Sequence, residues 1–179
     1  MPSAPLVLSF VSTASSGEEN YAGLVSAVRL ALVDMVRDGM ISGEVGAKFE
    51  VPTYNRTLED VQGVLDEVVE LWGVETMFEK RIEHPASAMV RDVEGLDEDE
   101  TARNTARNSR RYAAVVVDWF MAVVSGYFVK ALRLMHGEDL AQEERLVQDW
   151  ADRTNAHFLG KGKCEPVACW FIYVKLRRV

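Results

Sequence analysis

Several signatures of familiar functional classes are missing from this sequence. Its 179 residues include only two cysteines, Cys164 and Cys169, too few for a disulfide framework, so we expect a reduced, cytoplasmic protein. Acidic residues outnumber Lys and Arg by 28 to 20, and this negative charge argues against a broad nucleic-acid surface. The apolar run Leu6–Val11 is too short for the core of a signal peptide.

The residue patterns of metal and nucleophilic catalysis are also missing. His84, His136 and His157 are far apart in the sequence and have no Asp or Cys at ligand spacing. No glycine-rich turn joins a strand to a helix, which is the arrangement that holds a dinucleotide or a cofactor ribose. The segment Gly160–Lys163 contains two glycines but leads into no helix, so we interpret it as a turn and not as a phosphate cradle.

One long apolar segment, Ala113–Val129, raises the question of a membrane span. Its length is close to the ~18 residues that indicate a transmembrane helix. Asp118 lies inside the segment, and a charge at the centre of a bilayer costs about 2.5–3.5 kcal/mol. We therefore favour a long helix buried on most sides, with no membrane partner.

The first half of the sequence predicts a strand followed by two helices. The apolar run Leu6–Val11 is typical of a buried strand. Apolar residues at helical spacing over Tyr21–Val36 predict a helix, which Gly39 ends. Thr57 begins a capping box, and the apolar stripe after it predicts a helix that runs to Gly73.

The sequence from Glu75 onward predicts two strands separated by long helices. The many charges of Glu75–His84 indicate a strand at a sheet edge, where charge discourages pairing with another chain. A long helix is predicted over Thr101–Met135, and the apolar spacing from Leu140 to Phe158 predicts another. The last strand, Val167–Val174, is apolar on both alternating faces, which is typical of the interior of a covered sheet.

Two stretches carry a resemblance to a known family. Ala31–Ile41 is ALVDMVRDGMI and Phe49–Tyr54 is FEVPTY. Together with the order of elements, they resemble the SABATH family of plant methyltransferases, which use S-adenosylmethionine to methylate small carboxylic acids and xanthine alkaloids. The resemblance implies an α/β fold: the C-terminal part of a class I, Rossmann-like methyltransferase sheet, with an antiparallel final strand between its two predecessors, plus helical cap elements.

The resemblance also implies a single partial methyltransferase domain. Residues 1–84 would hold late sheet strands and helices, residues 85–160 a mostly helical cap, and residues 161–179 the terminal interior strand. The chain would begin near the fifth strand of that fold. Since the family's cofactor residues lie upstream of that strand, we expect no S-adenosylmethionine binding and no turnover by this chain alone.

Four site residues follow from the resemblance. Tyr54 and Phe171 would lie nearest a substrate pocket, although simple core packing explains either aromatic residue as well. The Phe49 carbonyl and the Glu50 carboxylate would lie at the family's magnesium-linked turn and offer oxygen ligands to Mg²⁺. Ala47 stands where the family has an Asp, which weakens that site, and Glu50 is otherwise an ordinary solvated acid.

Two functions from different classes remain open. The chain is the substrate-capping part of a methyltransferase for a small carboxylic acid, or it is a non-catalytic interaction module. The module would pair with a full-length relative, or form a homodimer, through Leu6–Val11, which becomes an exposed apolar edge once its neighbouring strand is absent.

Overall fold

The computed structural model describes residues 4–90, 98–160 and 165–179. Cys164 and all but the first residue of the turn predicted at Gly160–Lys163 lie outside the described residues. In chain order, the strands and helices are β1 (Leu6–Val11), α1 (Ala22–Arg37), α2 (Gly43–Lys48), α3 (Leu58–Asp66), β2 (Trp72–Glu83), a 3₁₀ helix (Pro85–Met89), α4 (Glu98–His136), α5 (Leu140–Leu159) and β3 (Ala168–Arg178).

The chain divides into two compact units that interleave along the sequence. The first, which we call the sheet unit, comprises Met1–Ala22, Thr53–Glu83 and Ala168–Val179. The second, which we call the helical unit, comprises Gly23–Pro52 and His84–Val167.

The sheet unit contains a three-stranded sheet in the order β1-β3-β2. β3 pairs antiparallel with β1 on one side and with β2 on the other. Its residues Ile172, Val174 and Leu176 point to one face and are almost fully buried, since α3 covers that face with Val61 and Leu65. The structure confirms that the terminal strand is interior and antiparallel, and that the charged strand β2 lies at an edge.

Helix α3 begins as predicted but ends early. Thr57 Oγ1 accepts a hydrogen bond from the Asp60 amide at 3.0 Å, and Asp60 Oδ2 accepts one from the Thr57 amide at 2.8 Å, which confirms the capping box. The prediction that the helix runs to Gly73 is wrong. α3 ends at Asp66, and Trp72 belongs to β2. The reason is that the pairing of β2 with β3 begins at Trp72, which pairs with Arg178, so these residues are part of the sheet.

β1 is a strand, as predicted, but it is not buried in this chain. Leu6, Val7 and Val11 are 37%, 63% and 37% exposed. The physical reason is its position at the end of the sheet, where β3 is its one neighbouring strand among the described residues. The expected exposed apolar edge is therefore present.

The helical unit is built around buried aromatic side chains. Trp150 of α5 is fully buried, and its indole Nε1 donates a hydrogen bond to the carbonyl of Val28 in α1 at 3.2 Å. α1 ends as predicted: Gly39 follows it with a φ of +71°, a conformation that suits glycine. The short helix α2, begun by Ser42 as N-cap, escaped the sequence analysis because six residues are too few to show a helical period.

α4 is long and apolar. The stretch from Arg103 to His136 meets the length and composition expected of a membrane-crossing helix. An 18-residue window within it has a mean hydropathy of 1.7, and 39% of that window is buried within the protein. The core helix of a soluble protein meets the same criteria, but such a helix is mostly buried, so the prediction that this helix is buried on most sides is wrong for the described residues. The residues of α4 that face the core, Tyr112, Ala113, Val116, Val117 and Phe128, are fully buried.

We predict that Ile172→Ala lowers the free energy of unfolding by about 2–5 kcal/mol, because it opens a cavity between α3 and the sheet. The matched control is Val7→Ala on the exposed edge, where a change within about 0.5 kcal/mol is expected. Denaturant unfolding followed by fluorescence and circular dichroism measures both variants. Equal losses in the two would contradict the described core.

Candidate functional site

The loop that follows β1 is fixed to the end of β3. The Asn20 side chain donates to the Ser12 carbonyl at 2.7 Å and accepts from the Trp170 amide at 2.7 Å. The Ser12 amide in turn donates to the Trp170 carbonyl at 2.9 Å. Ser12 Oγ is fully buried there and has no hydrogen-bond partner among the described residues. This end of the sheet therefore combines a loop held by three hydrogen bonds with one buried hydroxyl that has no partner among the described residues.

An acidic side chain on this loop holds an ionic network. The Glu18 carboxylate accepts hydrogen bonds from Arg81 Nε at 2.9 Å and from the indole Nε1 of Trp170 at 3.0 Å. Arg81 also donates to Glu83 at 3.0 Å. The hydrogen bond from Arg81, followed by that from Trp170, lowers the pKa of Glu18 below its ordinary value of 4.5. Glu18 is therefore an anionic anchor at neutral pH and not a proton donor.

The loop ends at a residue in an unusual backbone conformation. Tyr21 has a φ of +56°, which costs a residue with a side chain about 1–3 kcal/mol. Its amide donates to the Ala168 carbonyl at 2.8 Å. Burial, and then the neighbouring Cys169 thiol, raises the pKa of the Tyr21 hydroxyl, and burial raises the pKa of Cys169. Both groups stay protonated at neutral pH, so neither is a nucleophile there.

Tyr54 and Phe171, the two predicted substrate residues, lie on segments that flank the end of β1. The Arg56 amide donates to the Val11 carbonyl at 3.1 Å, and the Thr13 amide donates to the Arg56 carbonyl at 2.9 Å. On its other side, Val11 pairs with Phe171 of β3. Tyr54 is 68% exposed, and the Arg56 guanidinium lies 4.9 Å from the centre of its ring.

Phe171 belongs to an aromatic surface on the sheet face opposite α3. Its ring centre lies 6.3 Å from that of Tyr173, which stacks on Phe78 of β2 at 5.5 Å with an angle of 18° between the ring planes. Phe78 is 49% exposed. We call Phe78, Phe171 and Tyr173 the aromatic face. A flat, half-exposed surface of this kind suits contact with an apolar or aromatic small molecule.

Phe49 has a packing role in the helical unit. It caps the end of α2, where its amide donates to the Val45 carbonyl at 2.9 Å. Its ring meets Trp150 edge-on at 5.2 Å and Phe128 edge-on at 6.2 Å. This contact holds the start of the FEVPTY segment against the buried core of the unit.

The residues at this corner offer few of the oxygen ligands that a magnesium site needs. Glu50 is exposed and Ala47 supplies no ligand, whereas Mg²⁺ requires near-octahedral oxygen coordination. Among the described residues, no group of three or more His, Cys, Asp or Glu side chains is placed to hold a metal ion. Phe49 and Glu50 as metal ligands therefore stay a prediction from the resemblance, and we route no chemistry through a metal.

No sequence pattern indicated the network of Glu18, Arg81 and Trp170, or most of the aromatic face. Glu18 lies 63 residues from Arg81 and 152 from Trp170, so no local pattern connects them. Phe78 and Tyr173 share a face because of the register between β2 and β3, which alternation alone does not reveal. The one usable signal was the mixture of charges and aromatic residues in the edge strand.

The lowered pKa of Glu18 predicts a specific pH dependence. The Trp170 indole N–H resonance should titrate with a midpoint below pH 4.5, since the carboxylate that accepts its hydrogen bond keeps its charge to lower pH. Any stability that the protein gains from this network is fully present above the pKa that Glu18 has in the unfolded chain. It is lost as the pH falls through the lower pKa that Glu18 has in the folded protein. NMR with Trp170→Phe for assignment measures the midpoint.

The matched control is Glu18→Gln, which should remove this titration and leave the resonances of the other three tryptophans unchanged. A midpoint at or above 4.5 would show that Arg81 and Trp170 do not engage the carboxylate.

Comparison with known proteins places the chain beside fungal methyltransferases. No protein-family model matches it. It is 48% identical to the methyltransferase LUC1 of Fusarium sp over 100% of this chain and 49% of that protein. It is 44% identical to the methyltransferase FUS9 of Gibberella fujikuroi over 97% of this chain and 47% of that protein. It is 45% identical to the O-methyltransferase acrG of Aspergillus aculeatus over 99% of this chain and 48% of that protein.

Among solved structures, a loganic acid methyltransferase with SAH superimposes with a TM-score of 0.49 and 17% identity, over 97% of this chain and 42% of that chain. A likeness at this level establishes neither a ligand nor a mechanism. The sequence relatives are the stronger finding. Nearly the whole chain is similar to named methyltransferases from fungi, and it spans about half the length of those relatives.

Proposed function

We propose that this chain forms the substrate-capping part of an S-adenosylmethionine-dependent methyltransferase that acts on a small carboxylic acid. The observation that carries the proposal is the identity of 44–48%, over 97–100% of the chain, to proteins named as methyltransferases. One of these relatives is named as an O-methyltransferase, and methylation of a carboxylate is transfer to oxygen.

The chemistry explains why so few reactive groups are needed. When bound, S-adenosylmethionine would supply a methyl group activated by its sulfonium sulfur. A carboxylate oxygen would form the ester C–O bond as the methyl–sulfur bond breaks, with S-adenosylhomocysteine as the leaving group. A carboxylate is already ionised at pH 7, so no general base is required. The protein's contribution is then proximity, alignment and the exclusion of water. The protonated Tyr21 and Cys169 are consistent with a site that moves no proton.

The sheet unit offers two features that suit this task. The aromatic face provides an apolar wall against which a small ring packs. Arg56, beside Tyr54, is an exposed cation that suits a bidentate contact with a carboxylate. Under this proposal Tyr54 and Phe171 contact the substrate, and Arg56 and Phe78 are added to the residues predicted from the sequence.

The cofactor site falls outside the proposed role of this chain. The sequence has no glycine-rich strand–turn–helix, and the fungal relatives are about twice as long as this chain. We therefore assign S-adenosylmethionine binding to the remainder of a protein of that length. The chain alone would neither bind the cofactor nor transfer a methyl group.

The second candidate function is a non-catalytic module that pairs with a full-length relative. The observation that favours it is the exposed apolar edge of β1, with Leu6, Val7 and Val11 partly open to solvent. An edge of this kind is a template for pairing with another chain. Among the described residues, Arg56 alone forms a β-bridge on the outer side of this edge, and its partner is Ser12.

A thermal-shift experiment separates these functions from catalysis by the chain alone. A ligand at 100 times its dissociation constant stabilises a protein by about 2.7 kcal/mol, which raises the unfolding midpoint of a chain this size by roughly 5–10 °C. We expect S-adenosylmethionine to cause no shift in this chain. In a relative of full length, which is about twice as long, we expect a shift of roughly 3–5 °C, because the entropy of unfolding grows with chain length.

A shift in this chain would overturn the assignment of the cofactor site elsewhere. If the chain raises the unfolding midpoint of the full-length relative on mixing, without S-adenosylmethionine, the interaction module is favoured over the capping part.

A further inference from the structure

We draw no further inference here: the strongest candidate, the exposed apolar face of α4 that includes Val115, Trp119 and Val123, supports no proposal, because nothing in the part of the chain that the structure describes shows what covers this face in a chain that spans about half the length of its fungal relatives.

Discussion

The sheet unit depends on the antiparallel insertion of β3 between β1 and β2. β1 and β2 both pair with it, and of the strands that the structure describes it alone is paired on both sides. Its alternate residues Ile172, Val174 and Leu176 form the core with α3, while Phe171 and Tyr173 supply two of the three rings of the aromatic face. Trp170, at its beginning, fastens the loop after β1. One strand therefore sets both the stability of the unit and the geometry of its candidate site.

The helical unit depends on a different kind of contact. Trp150 is fully buried, donates to the α1 backbone and meets both Phe128 and Phe49 at close range. Aromatic rings packed edge-on and tilted in this way add to the energy gained from burial alone. Because Phe49 takes part, the FEVPTY segment that carries the family resemblance is anchored by packing, and this accounts for the aromatic residue at its start without any metal.

The sequence predicted features that depend on neighbouring residues, and it did not predict contacts between residues far apart in the chain. Alternation indicated that the terminal strand is interior, and charge indicated that β2 lies at an edge. The antiparallel insertion of the last strand between its two predecessors came from the family resemblance. The end of α3 was mistaken because Val68, Val69 and Trp72 continue a helical spacing while the backbone turns into β2. The Glu18–Arg81–Trp170 network joins three distant segments and depends on a register that only the folded sheet defines.

Under the proposed function, this chain contributes binding surfaces to the methyltransferase and no reactive groups. The aromatic face suits contact with an aromatic or apolar part of a small molecule, and Arg56 suits contact with its carboxylate. Tyr21 and Cys169, whose pKa values are raised, stay neutral. Under the proposed function, a displacement at carbon needs little more than alignment. The support for that proposal is the identity to fungal proteins named as methyltransferases.

The most direct test of the central claim is reconstitution of methyl transfer. The half of the LUC1 relative that this chain does not match would be produced separately and mixed with this chain, S-adenosylmethionine carrying a labelled methyl group, and a panel of small carboxylic acids. The account predicts labelled ester from the mixture and none from either part alone. Labelled ester from this chain by itself, or a stable complex of the two parts that transfers no label to any acid, would contradict it.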